Sequence, residues 1–187
     1  MAVDHATITR WVLKYSPQLK AAFHHRKRPV GMSWRMDETY IRVQGEWRYR
    51  YRAVDKPGPT IAFLLPEHRD QEAALRLLTQ AIRCHGVPEK ITIDGSEANE
   101  AAIKRYNEVH GTAIDIRQIK YLHNIVEQDH RAVKRITRPM LGFKSFAAAH
   151  ATLVGIALMH MLKKRQLVIE ERGEGLTAAA QFCTLAA

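Results

Sequence analysis

The stretch from residue 34 to residue 54 most constrains what this chain can fold into, because it predicts a β-hairpin. In its second half Trp47 and Tyr51 share one side of an alternating pattern, and arginines occupy the other side. Strict alternation of this kind is typical of a strand. Gln44-Gly45 stands between the two runs as a two-residue turn signal. A further apolar run at residues 60–65 extends the hairpin to three antiparallel strands.

The alternating arginines of the second strand, Arg48, Arg50 and Arg52, have two interpretations. They form either the solvated face of a sheet or a strip that contacts phosphates. The sequence pattern alone does not separate these two interpretations.

Alternating helical and strand patterns follow the hairpin. Apolar periodicity predicts helices at residues 70–84 and 97–109, short strands at 91–94 and 114–119, a helix from residue 124, and a final helix at 144–162. Three antiparallel strands followed by this alternation predict an α/β fold, a mixed sheet with helices on both faces. The order is that of a ribonuclease-H-like domain.

One side of the helix that begins at residue 124 presents a single carboxylate, Glu127, among basic side chains. A carboxylate beside cations suits a site that binds a divalent metal and a phosphate together. One carboxylate is too few, and Asp37 on the first strand and Asp94 at the end of a short buried strand are the expected partners. Asp129 falls on the apolar side of this helix, so it requires a hydrogen-bond partner or a role in the helix's first turn.

The charge balance favours a polyanionic partner. The chain has 29 Lys and Arg against 19 Asp and Glu, a net charge of +10, which favours nucleic acid over a membrane. Cys84 and Cys183 indicate neither a disulfide framework nor a zinc site, and we expect a cytoplasmic protein. The apolar run 146–162 predicts a buried core helix, and the polar, basic start of the chain does not resemble a signal peptide.

Three ordered motifs resemble those of the DDE transposases. Residues 34–39 (WRMDET) resemble the motif of the first acid, and residues 92–95 (TIDG) that of the second. Residues 120–130 (KYLHNIVEQDH), with Lys134 and the downstream segment 141–146, resemble the third. Together they are similar to the insertion-sequence-six family of prokaryotic transposases, over nearly the whole chain.

This resemblance implies a ribonuclease-H-like catalytic core that cleaves the 3′ ends of an insertion sequence and transfers them to target DNA. It implies Asp37, Asp94 and Glu127 as the catalytic and metal-binding triad, with Lys134 as the basic residue after the glutamate. An all-oxygen site of this type favours Mg²⁺ or Mn²⁺, and two ions are expected. The expected partner is double-stranded DNA, at element ends and target, bound by a homo-oligomer at the nucleoid.

Six basic residues are candidates for DNA contacts: Lys134, Arg131, His130, Arg138, Lys120 and Arg10. For His130 a structural hydrogen bond is an equal alternative to a phosphate contact.

The expected division is a partial helix-turn-helix and basic linker at 1–30, the catalytic domain at 31–165, and a tail at 166–187. Residues 4–11 resemble a recognition helix without its bracing helices, so we expect a shortened, loosely packed N-terminal segment. Ser16-Pro17 is expected to end or restart this helix, with a second short helix from residue 18.

Three other functions remain open. A ribonuclease or structure-specific nuclease would use the same acids but release the cut ends without joining them. An inactivated or domesticated transposase, or a basic structural protein, would bind DNA without chemistry. The intact acids at the strand ends argue against simple decay.

Overall fold

The computed structural model describes residues 3–66, 71–119, 124–169 and 176–186. The chain divides into two compact units. One unit, called here the sheet unit, is Pro29–Gly142, and the other, called the helical unit, combines Met1–Arg28 with Phe143–Ala187. The division into domains at residues 30 and 165 stays a prediction.

The sheet unit contains five strands in the order β3-β2-β1-β4-β5. The first three strands pair antiparallel and the last two pair parallel, so the sheet is mixed as predicted. The strands are β1 (Ser33–Val43), β2 (Glu46–Asp55), β3 (Thr60–Leu64), β4 (Lys90–Ile93) and β5 (Asp115–Gln118).

The hairpin turn between β1 and β2 lies where the sequence predicts it. Gln44 and Gly45 both have positive φ, 54° and 83°. Positive φ at both central residues is the backbone of the two-residue turn whose twist matches paired strands. The turn fixes the register in which Asp37 pairs with Arg52.

Two helices cover one face of the sheet, α2 (Gln71–His85) and α3 (Glu97–His110). Their apolar sides and alternate strand residues, including Trp34, Tyr51 and Ile91, form one buried cluster. Because successive strand residues point to opposite faces, the residues between these, such as Asp37 and Arg52, project from the other face.

That other face is covered by α4 (Asn124–Thr137), which ends in a 3₁₀ turn at Arg138–Met140. Helix α4 thus ends just before Arg138-Pro139, as the restriction that proline places on its preceding residue favours. The buried side of α4 is a stripe at helical spacing: Val126, Asp129, His130, Val133 and Thr137. We expected Ile136 on the apolar side of this helix, but it is 42% exposed. The side of α4 that faces the sheet includes the polar residues Asp129 and His130 instead.

The helical unit consists of α1 (His5–His25), α5 (Phe146–Lys163) and α6 (Ala178–Ala186). The predicted break at Ser16-Pro17 is wrong, because α1 continues through Pro17. Ser16 is buried, and α1 approaches α5 closely enough that a Cβ at Gly155 would lie 3.4 Å from the Ser16 hydroxyl. This packing outweighs the backbone bond that proline removes.

Around Phe23, α1, α5 and α6 share a buried cluster. The expectation of a loosely packed N-terminal segment is therefore wrong for the second half of α1. By length and composition α5 could cross a membrane. Half of its residues, among them Leu153, Leu158 and Leu162, are buried within the protein, which is typical of the core helix that the sequence predicts.

Candidate active site

Asp37 lies in the middle of β1 and projects toward α4. Its side chain is 14% exposed. Oδ1 accepts a 2.7 Å hydrogen bond from the Glu38 backbone N–H, and Oδ2 lies 3.3 Å from Nε2 of His130 on α4. Glu38 points to the opposite face, as alternation requires, so Asp37 is the acid of this pair that faces α4.

Asp94 follows directly after β4, the parallel neighbour of β1. The two strands pair with an offset of 57 positions, from Ser33 with Lys90 to Arg35 with Thr92. Continued by two residues, the same offset brings Asp94 level with Asp37. Asp94 is exposed, and Oδ1 accepts a 3.2 Å hydrogen bond from the Ser96 backbone N–H.

Glu127 lies in the first turn of α4, one turn before His130. Its carboxylate is 51% exposed and accepts a 2.9 Å hydrogen bond from Arg131, four residues later. Exposed pairs of this kind contribute about 0–1 kcal/mol. Arg131 is therefore a weak competitor for a carboxylate that a metal ion would also bind.

The three acids are oxygen donors, as Mg²⁺ prefers, but they are not equally close. The β1–β4 register, continued by two residues, brings Asp94 level with Asp37, while the Glu127 carboxylate accepts a hydrogen bond from Arg131. In the part of the chain that the structure describes, no three His, Cys, Asp or Glu side chains form a group that could hold a metal. The donor chemistry fits a divalent ion, and ligation by all three acids requires Glu127 to leave Arg131.

His130 lies on the side of α4 that faces the sheet and is buried, with an exposed fraction of 5%. Burial lowers its pKa, and the contact with Asp37 opposes that effect only in part. Neither ring nitrogen makes a full hydrogen bond to the residues described here. His130 therefore lies against the sheet, and the DNA contact predicted for it stays a prediction.

The sequence patterns did not indicate which residues of β2 lie against α4. Arg50 and Arg52 are completely buried, so they are neither a solvated face nor a phosphate strip. Asp129 accepts a 2.6 Å hydrogen bond from Nε of Arg52, which confirms that Asp129 needs a partner. An acid on a buried helix side and arginines on one strand face were the signals that could have linked them.

The remaining candidates for DNA contacts lie in different places. Arg131 and Lys134 on α4, and Arg138 in the turn after it, belong to the sheet unit, and both arginines are exposed. Arg10 is exposed on α1 in the helical unit. Lys120 lies outside the described residues.

Comparison with known proteins identifies relatives along most of the chain. Residues 31–166 match the model of the DDE domain of the IS240 type. The chain is 34% identical over 165 residues to the transposase for insertion sequence-like element IS431mec of Staphylococcus aureus, covering 87% of this chain and 72% of that protein. The figures are the same for the Staphylococcus aureus transposase of IS257 in transposon Tn4003.

Two solved retroviral structures share the fold. The HTLV-2 integrase catalytic core domain, solved in complex with magnesium, aligns with a TM-score of 0.54 at 15% identity, over 84% of this chain and 99% of its own. The catalytic core domain of BIV integrase aligns with a TM-score of 0.53 at 18% identity, over 82% of this chain and 95% of its own. These likenesses confirm the predicted ribonuclease-H-like architecture.

The match to the DDE domain extends over more than half of the chain, and the staphylococcal transposases add 34% identity over most of its length. The acidic motifs that suggested this family lie within the matched region. The chain belongs to the DDE transposases of insertion sequences.

Proposed function

We propose that Asp37, Asp94 and Glu127 are the catalytic carboxylates of this transposase, and that they hold two divalent ions, Mg²⁺ or Mn²⁺. The observation that carries the proposal is the parallel register of β1 and β4, which brings Asp37 level with Asp94. Glu127 lies one helical turn before His130, which contacts Asp37. Asp94 therefore follows the end of β4 beside β1, and Glu127 lies on the helix packed against β1, an arrangement similar to the strand-end ligand sites of α/β sheets.

When bound, such a metal pair activates the attacking oxygen and stabilises the leaving oxygen in phosphoryl transfer. The protein's own part is to hold its carboxylates in place. Burial lowers the pKa of His130, which favours the uncharged ring, and an uncharged His130 orients Asp37 without adding a positive charge where the cations bind. The first attack by water frees the 3′ end of the element, and the 3′-hydroxyl then attacks target DNA.

The exposed side of α4 supplies the proposed contacts to double-stranded DNA. Arg131 and Arg138 are exposed, and Lys134 lies two turns beyond Glu127. Such side chains position phosphates and do not read bases. Arg10 on α1 is a further proposed contact, and the net charge of +10 supplies the long-range attraction.

We also propose that the transposase acts as a homo-oligomer on DNA, at the nucleoid in the cytoplasm. The HTLV-2 integrase core is described in dimeric and trimeric forms, which supports an oligomer for this fold. Both cysteines are free and exposed, which fits a reducing compartment.

One observation favours a second function, a DNA-binding protein without catalysis. The Glu127 carboxylate is engaged by Arg131 rather than turned to the other two acids. In that case the chain would bind DNA through its basic surface, and no metal would be required.

Strand transfer with labelled element-end DNA and Mg²⁺ separates the candidates. The transposase should join the labelled end to target DNA, and Asp94→Asn should abolish joining. Release of cut ends without joining would identify a nuclease. Binding without cleavage, unaffected by Asp94→Asn, would support the non-catalytic function.

A further inference from the structure

A layer of charged and titratable side chains is buried between α4 and the sheet. It consists of Arg50 and Arg52 from β2, Asp37 from β1, and Asp129 and His130 from α4. Both arginines are completely buried, and Asp129 is 4% exposed. We call these five residues the buried charge layer.

Arg52 is the best-connected member of this layer. Its Nε donates a 2.6 Å hydrogen bond to Oδ2 of Asp129, and Nη2 contacts the same oxygen. Nη2 also donates a 2.6 Å hydrogen bond to the Thr60 hydroxyl on β3. Arg52 therefore ties α4 to two strands at once, in a direction fixed by its planar guanidinium.

Arg50 differs from Arg52 although it is equally buried. Its guanidinium has no hydrogen-bond partner among the described residues and lies 5.0 Å from the centre of the Phe63 ring. The two arginines thus form a natural comparison, because Arg52 is hydrogen-bonded to α4 and Arg50, among the described residues, is not.

A buried ion pair is poor evidence of a stabilising role, because removing two charges from water offsets most of their attraction. Apolar side chains of similar size would cover the sheet about as well. They would not provide a directional bond. Such a bond fixes both the position of α4 along its axis and its rotation relative to β2. Buried ionic groups have this specifying role in some proteins.

The location of the Arg52–Asp129 pair indicates which function a fixed position of α4 would serve. Asp129 lies two residues after Glu127 and immediately before His130, the residue that contacts Asp37. Asp37 in turn pairs directly with Arg52 across the β1–β2 register. A slip of α4 along the sheet would move Glu127 relative to Asp37, because His130, one turn after Glu127, contacts Asp37.

We propose that Arg52 and Asp129 are positioning residues for transposition, and that their buried ion pair sets the register of α4 so that Glu127 can join Asp37 and Asp94 around the metal. This inference rests on the proposed catalytic triad. It assigns the pair to metal binding and catalysis rather than to stability.

The test is the double variant Arg52→Met with Asp129→Leu in the full chain, which removes both charges and keeps apolar bulk. Three quantities are measured: thermal unfolding, Mn²⁺ affinity by calorimetry, and strand transfer at saturating element-end DNA. We expect an unchanged or higher melting temperature, with Mn²⁺ affinity and kcat each lowered about 10- to 100-fold, as for other groups that support metal ligands. KM for DNA should stay unchanged, because the pair does not reach the surface.

A folded double variant with wild-type Mn²⁺ affinity and kcat would overturn the proposal. If the double variant does not fold, Arg52→Lys decides, because it keeps the charge but loses the planar fork. We expect Arg52→Lys to weaken Mn²⁺ binding and kcat at least several-fold, and wild-type values would overturn the proposal.

Glu127→Gln separates this inference from the proposed function. If Glu127→Gln retains Mn²⁺ affinity and strand transfer, the triad itself is wrong and the positioning role falls with it. If Glu127→Gln loses both while the double variant keeps both, the triad stands and only the positioning role is wrong.

Discussion

Nε2 of His130 lies 3.3 Å from Oδ2 of Asp37, and this contact joins the middle of α4 to the middle of β1. The two residues are far apart in the sequence, yet both side chains are shielded from solvent, at 6% and 14% exposure. Helix α4 is therefore held over the strand that carries the first proposed catalytic acid. Any movement of α4 along the sheet must break this contact.

The two buried arginines should differ in what they contribute to stability. Arg52→Met leaves Asp129 buried without its partner, which costs about 3–5 kcal/mol. Arg50→Met removes a cation that makes no hydrogen bond to the described residues. Burial, and then repulsion by Arg52, lower the pKa of Arg50 well below its usual value. Its loss should cost less than about 2 kcal/mol, the upper range of a cation–π contact.

Urea denaturation of both variants checks this difference. The residues are two positions apart on the same strand face, so the pair is internally matched for burial. Equal losses of unfolding free energy would show that the ion pair with Asp129 does not distinguish them.

Lys134 should contribute to DNA binding more than a lysine on α3. Lys104 is the matched control, because it is exposed and engaged by Glu100 at 2.6 Å. Lys134→Ala should lower affinity for element-end DNA and reduce the salt dependence of binding by about one counterion. Titrations at several salt concentrations measure both effects, and similar losses for Lys104→Ala would mean that Lys134 acts only through the general positive field.

Stability should fall as the pH drops below about 6.5, the usual histidine value, in part because of His150 on α5. Burial, and then the nearby charge of Lys20, lower the pKa of His150. The unfolded chain therefore takes up a proton at higher pH than the folded chain, so stability is fully present above the unfolded pKa and declines as pH falls toward the folded pKa.

His150→Gln should accordingly lose less unfolding free energy than the wild type between pH 7 and pH 5, measured by denaturation at each pH. His25→Gln, at an exposed position on α1, is the control and should keep the wild-type decline. A decline as steep in His150→Gln as in the wild type would contradict this account of His150.

Local patterns predicted much of the sheet and its helices. The Gln44-Gly45 turn, the alternation along β2 and the position of Asp37 all follow from rules that act over a few residues. Gly111 likewise ends α3 in the left-handed conformation, with φ 63°, as its sequence position suggests. These features depend on neighbouring residues, so the sequence displays them directly.

Packing between residues that are far apart in the sequence was harder to predict from local patterns. Alternating arginines on β2 are typical of a solvated face, and only the cover provided by α4 buries Arg50 and Arg52. Asp129 signalled its need for a partner without indicating which one. Pro17 was expected to interrupt α1, because the packing of that helix against α5 leaves no mark in the local sequence.

The sequence predicted which residues belong to the site, but not how their side chains are arranged. The register of β1 and β4, continued by two residues, brings Asp94 level with Asp37. The engagement of Glu127 by Arg131 depends on side-chain conformations that no motif describes.

Strand transfer by single-acid variants tests most directly whether Asp37, Asp94 and Glu127 are the catalytic triad. Asp37→Asn, Asp94→Asn and Glu127→Gln remove one charge each while nearly keeping side-chain shape. Each should lower joining of labelled element ends by at least about 10³-fold in Mg²⁺ or Mn²⁺, since losing a group that stabilises the transition-state charge costs about 10²–10³ and a metal ligand more. Unfolding temperature and DNA affinity should stay close to wild type, and near-wild-type joining by any one of the three folded variants would contradict the account.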